Sequence, residues 1–279
     1  GFSFLAVGFW SAVLFWVFAG AGLAGTYMPG LQILNARFNS ISRVKIVPYY
    51  TACFSLGTAT SFLFMGFCLT RVEANVAAFL AAISALVSVG IIAGIVPPLE
   101  TKPALKKTSA FSKFKLAFSN PVNVAYTISY AGHNFELFAY RTWAFTLIIF
   151  LGTKYKEDIL ENTAGIILSV MILSGILASL FGAKLCLDFS RQKIIRIIAL
   201  LSATLAIATG YSLNSSVWLI LSLLSFYYLA IMMDSGGLTA GIVENSDDHN
   251  RGTILASYSM FGFIGSVIGP PVIGLVLDW

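Results

Sequence analysis

Six intervals of this chain carry no Asp, Glu, Lys or Arg: Gly1 to Ala36, Ile46 to Thr70, Ala74 to Leu99, Thr163 to Ala183, Ile197 to Met233 and Thr253 to Leu277. Each can supply the roughly 20 helical residues that cross a hydrocarbon core. The runs do not alternate between apolar and polar positions as barrel strands would, so they predict helices. Another span is expected at 121–152 although it contains Glu136 and Arg141. The long neutral run from Ile197 is divided by the turn cluster Gly210-Tyr211-Ser212-Leu213-Asn214-Ser215-Ser216. The pattern therefore predicts eight spans, at about 10–36, 46–70, 75–98, 121–152, 163–184, 194–212, 216–242 and 253–277, with residues 1–9 ending an earlier one. The opening at Gly1 has no initiator Met, basic n-region or small-residue cleavage site, so it reads as a protein cut within a helix rather than as a signal peptide.

Composition places these spans in lipid. The chain is 58% hydrophobic and 10% charged, against about 45–50% and about 25% in soluble domains, which leaves too few charges to cover a water-facing surface. The net charge of +5 does not point to nucleic acid, because the basic residues lie in short loops between spans. Alternate loops carry thirteen of them (Arg37, Arg43, Lys45, Lys102, Lys106, Lys107, Lys113, Lys115, Lys184, Arg191, Lys193, Arg196 and Arg251), and the other side has Arg71, Lys154 and Lys156. That asymmetry assigns the first set to the cytoplasm of a plasma or bacterial inner membrane. In the last of these loops Glu244, Asp247 and Asp248 outnumber Arg251, but acidic residues contribute little to orientation. Cys53, Cys68 and Cys186 lie in or beside apolar runs and read as packing residues. Neither a metal site nor a cofactor is expected.

The longest loop, 99–120, is basic and contains alternating Phe and Lys in Phe111-Ser112-Lys113-Phe114-Lys115. It is either a solvated linker or a short amphipathic helix on the inner leaflet. In both readings it divides the chain into an N-terminal bundle, 1–98, and a C-terminal bundle, 121–279. An internal repeat agrees with that division. A shift of 208 residues superposes Arg43 on Arg251, Ile46 on Ile254, Tyr50 on Tyr258, Gly57 on Gly265 and Gly66 on Gly274. The two segments are six spans apart, which suits parallel halves related about an axis normal to the membrane.

From these residues on, nearly the whole chain resembles the major facilitator superfamily. Gly22-Leu23-Ala24-Gly25-Thr26-Tyr27-Met28-Pro29-Gly30-Leu31 resembles that fold's fourth helix, and Arg43 to Gly66 its fifth. Tyr130-Ala131-Gly132-His133-Asn134-Phe135-Glu136-Leu137 resembles the seventh, and Asp234 to Gly241 the tenth. By that count helices one to three and twelve are largely absent. Gly182 to Lys193 is similar to the family's signature loop, which pairs an Asp with nearby basic residues; here these are Asp188, Arg191 and Lys184. Leu187 is inserted before the Asp and the Gly usually following it is missing. The resemblance implies a conformational latch at this loop. Gly269-Pro270-Pro271 is similar to a glycine-proline motif of antiporters but falls in the eleventh helix, so antiport is not implied. The resemblance further implies an all-α transmembrane bundle whose fourth, seventh and tenth helices line a central cavity.

Ionisable groups within spans suggest a solute or proton pathway, because they are costly in lipid. Here they are His133, Glu136, Arg141 and Asp234. Helical geometry puts His133, Glu136 and Tyr140 on one face, Arg141 on an adjacent one, and Tyr227 on the face of Asp234. Tyr27 joins them if its hydroxyl faces the cavity. Each also has a structural reading: Glu136 and Arg141 neutralising each other, His133 a satisfied polar residue, Asp234 a loop contact, Tyr27 a packing residue. The leading function is a secondary transporter, symporter or uniporter, monomeric, with a small-molecule or ion substrate. The alternative is a non-transporting membrane scaffold or sensor. An intramembrane enzyme is disfavoured, since the spans contain no paired Asp, Ser–Lys or metal-ligand cluster.

Overall fold

A computed structural model of the chain describes residues 6–38, 40–69, 71–96, 118–155, 161–247 and 250–278. They form α1 (Phe9–Arg37), α2 (Ser40–Leu69), α3 (Ala74–Ile95), α4 (Pro121–Tyr155), α5 (Glu161–Asp188), α6 (Arg191–Tyr211), α7 (Val217–Glu244) and α8 (Arg251–Leu277), with no strand among the described residues. Each helix contains a stretch long and apolar enough to cross a membrane. All eight expected spans are thus helices, which satisfy every backbone donor and acceptor without water. The amphipathic stretch Phe111–Lys115 and the loop residue Lys156 lie outside the described residues.

The helices overrun several expected boundaries. Lys184 to Asp188 and Arg191 to Arg196 remain helical, so only Phe189 and Ser190 link α5 to α6. The expected loop was drawn at its charges, but a helix need not stop where lipid does unless a breaker stands there. The turn cluster before α7 is a breaker of that kind: Ser212–Asn214 is a single 3-10 turn. Ser216 then caps α7, its Oγ accepting from the Leu219 N–H at 3.3 Å. Lys154 Nζ donates to Leu213 O at 2.8 Å and to Asn214 Oδ1 at 3.0 Å, and the Tyr155 hydroxyl donates to Leu213 O at 2.8 Å. These bonds fasten the end of α4 to the turn.

Internal contacts divide the chain into two compact units, Gly1–Arg37 with Ser61–Thr108, and Phe38–Thr60 with Ser109–Trp279. In the first unit large apolar side chains such as Trp10, Trp16, Leu86 and Val89 are exposed, as on helices bathed by lipid. The second unit has a packed centre in which Leu137, Ile148 and Leu151 of α4 meet Leu168 and Ile172 of α5 and Ile220, Leu224 and Ile231 of α7.

Within the second unit α4 packs most closely on α8, and α5 on α7. Glycines set both distances. A Cβ at Gly265 would stand 2.1 Å from the Ala131 carbonyl oxygen, and one at Gly269 would stand 2.3 Å from that of Phe135. Gly182 plays the same part between α5 and α7, where a Cβ would lie 1.9 Å from the Met233 carbonyl. Small residues allow such backbone approach where apolar burial gives no drive for association. A further fastening lies at the tandem Pro270-Pro271, where Trp143 Nε1 of α4 donates to Pro270 O at 2.9 Å. Tyr140 meets Leu224 whereas His133, seven residues earlier on α4, meets Asp234, ten residues later on α7, so the two helices are antiparallel.

Because the neighbour of Gly265 is backbone, no rotamer change can accommodate a methyl group there. Gly265→Ala should destabilise the protein by about 1–3 kcal/mol. Gly132→Ala, in a helix interior with open space around it, should be neutral or gain up to about 1 kcal/mol. Unfolding midpoints of the two purified variants in one detergent check this, and equal midpoints would contradict the close approach.

Candidate functional site

The ionisable residues in the middle of α4, His133, Glu136 and Arg141, sit within nine positions of one another, and each is held by a different partner. His133, buried, points Nδ1 to within 2.7 Å of Asp234 Oδ1 on α7. Neither atom has a hydrogen bond of acceptable geometry, so the contact is electrostatic attraction at an off-line angle. The Tyr130 ring stacks on His133 at 6.0 Å and on Tyr258 of α8 at 4.1 Å. Tyr258 in turn shares a 3.2 Å hydrogen bond with Thr239 of α7. An ion pair thus lies beside a column of rings that spans α4, α7 and α8.

Glu136, one turn on, does not pair with Arg141. Its Oε1 accepts a short hydrogen bond from the Ser202 hydroxyl of α6, and Tyr227 of α7 stands against the same carboxylate. No ion pair is found for Glu136 among the described residues. The carboxylate forms part of the wall of a cavity of about 830 Å³ between α4, α6, α7 and the end of α8, with Tyr140, Trp143, Phe150, Thr209 and Tyr227 among its lining residues. Glu136 is the one charged residue of that lining. Tyr140 donates from its hydroxyl to Leu224 O at 3.0 Å, and its ring meets Tyr227 edge-on at 5.5 Å.

Arg141 is buried on another side of α4. Its Nη2 donates to the Tyr228 hydroxyl at 2.9 Å, and the guanidinium lies 5.5 Å from the Phe54 ring of α2 and 5.9 Å from the Tyr228 ring. Aromatic faces stabilise a cation in this setting without neutralising it. Arg141 Nε has no hydrogen-bond partner, so the site holds a buried positive charge with a donor to spare.

The signature-loop residues separate. Asp188 and Lys184 are exposed at the end of α5, and neither forms an ion pair among the described residues. Arg191 instead reaches Glu244 at the end of α7, with Nη1 2.5 Å from Oε2, and Tyr126 of α4 stands against the same guanidinium. Tyr27 lies partly buried on α1, in the other unit.

Sequence reasoning placed His133, Glu136 and Tyr140 on one face and read Asp234 as a pathway residue or a loop contact; the carboxylate that His133 meets is that of Asp234. It did not single out Ser202, Tyr228, Phe54 or, as an ion-pair partner, Glu244. Only Glu244, an acid closing a span opposite a basic loop, carried a signal that could have found it. The helical-wheel assignment of Tyr227 to the face of Asp234 directed attention away from Tyr228.

A polytopic helical bundle with an ionisable seam inside its apolar core is the architecture of an integral, multi-pass membrane protein. The model of the Major Facilitator Superfamily matches residues 1–277, and the chain belongs to that superfamily. Membership implies secondary transport in general and a small-molecule substrate, and it is not an enzymatic family. No curated protein matches the chain.

Tyr228→Phe keeps the ring that packs under Arg141 and removes only the oxygen that accepts from it. It should therefore lower unfolding free energy by about 1–3 kcal/mol, as expected when a buried charged donor loses its acceptor. Steric-trap or denaturant unfolding of the reconstituted protein measures the change, and an unaltered value would mean that Arg141 has a second acceptor.

Proposed function

We propose that the protein moves a small solute across the membrane by alternating access, with Glu136 as the carboxylate that couples movement to protons. The observation that carries this reading is an acidic side chain in the middle of a span, facing a cavity, with hydroxyls rather than a cation as its partners. A carboxylate kept only for structure would be expected to sit with a counter-charge, since an isolated charge is expensive in lipid. Arg141 is available five residues away and is directed elsewhere. A scaffold reusing the fold gains nothing from such a group, whereas a proton-handling site needs a carboxyl that can exist in both protonation states.

We take the moving bodies to be 1–98 and 121–279, joined by the basic segment 99–120, and two contacts inside the second suit a change of shape there. One is the seam of α4 and α7, where electrostatic and hydrogen-bonded contacts lie beside apolar packing. The other is the Arg191–Glu244 pair, a charged contact between the start of α6 and the end of α7 on the basic side of the membrane. Such a contact is cheap to break when water enters and favourable when it leaves, which suits a latch.

A transport screen in liposomes should find a solute that the protein accumulates against its gradient, and Glu136→Gln should abolish that accumulation while leaving insertion and folding intact. Counterflow exchange of the same solute should survive the substitution, because exchange does not require the proton step. Normal uphill uptake by Glu136→Gln would make the residue structural.

A further inference from the structure

The exposed apolar columns of α5 and α6 both end in positive charge. On α5 the exposed side chains Leu177 and Phe181 are followed at helical spacing by exposed Lys184, and on α6 exposed Lys193 and Arg196 are followed by Ile197 and Leu200, exposed in turn. A stripe that meets acyl chains within the span therefore meets headgroups at its end. The depth agrees with this: Lys184 stands four residues before the end of α5 and Arg196 five residues after the start of α6, about 6 and 8 Å along the two axes, close to the thickness of one headgroup layer. Phe189, in the two-residue link, is exposed as well, and an aromatic ring there suits the interface better than bulk water. The two helices pack on each other, so the cations share one corner of the bundle.

Charge selects the headgroup. Lys184, Lys193 and Arg196 form no ion pair among the described residues, while Arg191, the remaining cation of the corner, is committed to Glu244. Asp188 is the one acid between Lys184 and Arg196. Three cations against one carboxylate leave an excess of two positive charges. A zwitterionic headgroup would add an ammonium to that excess, and a single phosphate would match half of it. Two phosphates match it fully. A soluble polyanion would also supply charge but would leave the apolar columns below without a partner, whereas one phospholipid covers both.

We infer that the corner between α5 and α6 is a binding site for a phospholipid whose headgroup carries two phosphates, with Lys184, Lys193 and Arg196 as the phosphate-recognising residues and Leu177, Phe181, Ile197 and Leu200 along its acyl chains. The site is independent of the part given to Glu136.

The test titrates cardiolipin, phosphatidylglycerol and phosphatidylcholine of matched acyl chains onto the full chain in detergent, with bound lipid counted by native mass spectrometry. Cardiolipin should bind saturably and at least about fivefold more tightly than phosphatidylglycerol, since each further charge pairing at a membrane surface is worth about fivefold. Phosphatidylcholine should bind more weakly still. Replacing Lys184, Lys193 and Arg196 together by Gln should erase the preference, while Lys184→Arg with Arg196→Lys, which keeps the charges, should retain it. Should the triple variant fail to fold, Lys193→Gln and Arg196→Gln alone should each weaken cardiolipin binding by about fivefold. Equal affinity for cardiolipin and either other lipid, or a preference that survives removal of the cations, overturns the inference. Saturable capture of polyglutamate by the same residues, with no preference among the lipids, would give the surface to an acidic protein segment and overturn it too.

Discussion

The seam between α4 and α7 is the constraint on which the C-terminal part of the molecule depends. A buried histidine and a partly buried aspartate on two antiparallel helices can stand 2.7 Å apart only if the helices hold one register. Removing water makes the attraction strong and makes a missing partner costly. Once that register is set, Tyr140 reaches the Leu224 carbonyl and Arg141 reaches the Tyr228 hydroxyl without adjustment. The glycine contacts act differently: Gly265 and Gly269 bring α8 against α4, and Gly182 brings α5 against α7, by backbone approach alone. The unit therefore contains two tightly packed helix pairs joined along a polar line.

This arrangement explains how three ionisable residues of one helix can serve three purposes. His133 is committed to Asp234 and Arg141 to an aromatic and hydroxyl pocket. Glu136 has hydroxyl partners and no ion pair among the described residues, and of the three it alone lines the cavity. Under the function proposed above, the chemistry left for a solute in that cavity is that of a single carboxylate in an aromatic wall. At the basic end, Arg191, Glu244 and Tyr126 bring the starts of α4 and α6 to the end of α7, so events at that membrane surface bear on the same helices that carry the seam.

Much of the fold was legible in the chain because lipid imposes a one-dimensional rule: uncharged runs such as Thr253 to Leu277 must be helices, and the turn cluster around Asn214 must break one. The ends were less legible, since Lys184 to Asp188 and Arg191 to Arg196 continue their helices into a polar region that offers no reason to stop. The candidate residues of α4 stood out because charge in a span is rare. Their partners did not. Ser202 and Phe54 are ordinary residues of apolar helices, and whether Tyr227 or Tyr228 meets Arg141 depends on the register of α4 against α7, which residue spacing along one helix does not report. For the same reason a shared face on α4 could not show that the carboxylate meeting His133 is that of Asp234 on α7.

The register claim is tested most directly by a double-mutant cycle on the seam, with unfolding free energies measured in bilayers for the wild-type protein, His133→Gln, Asp234→Asn and the combined variant. If the pair sets the register, the two losses will be strongly non-additive, with a coupling energy of about 1 kcal/mol or more. Losses that add to within about 0.3–0.5 kcal/mol would show that each side chain is satisfied independently, and would contradict the account of the seam.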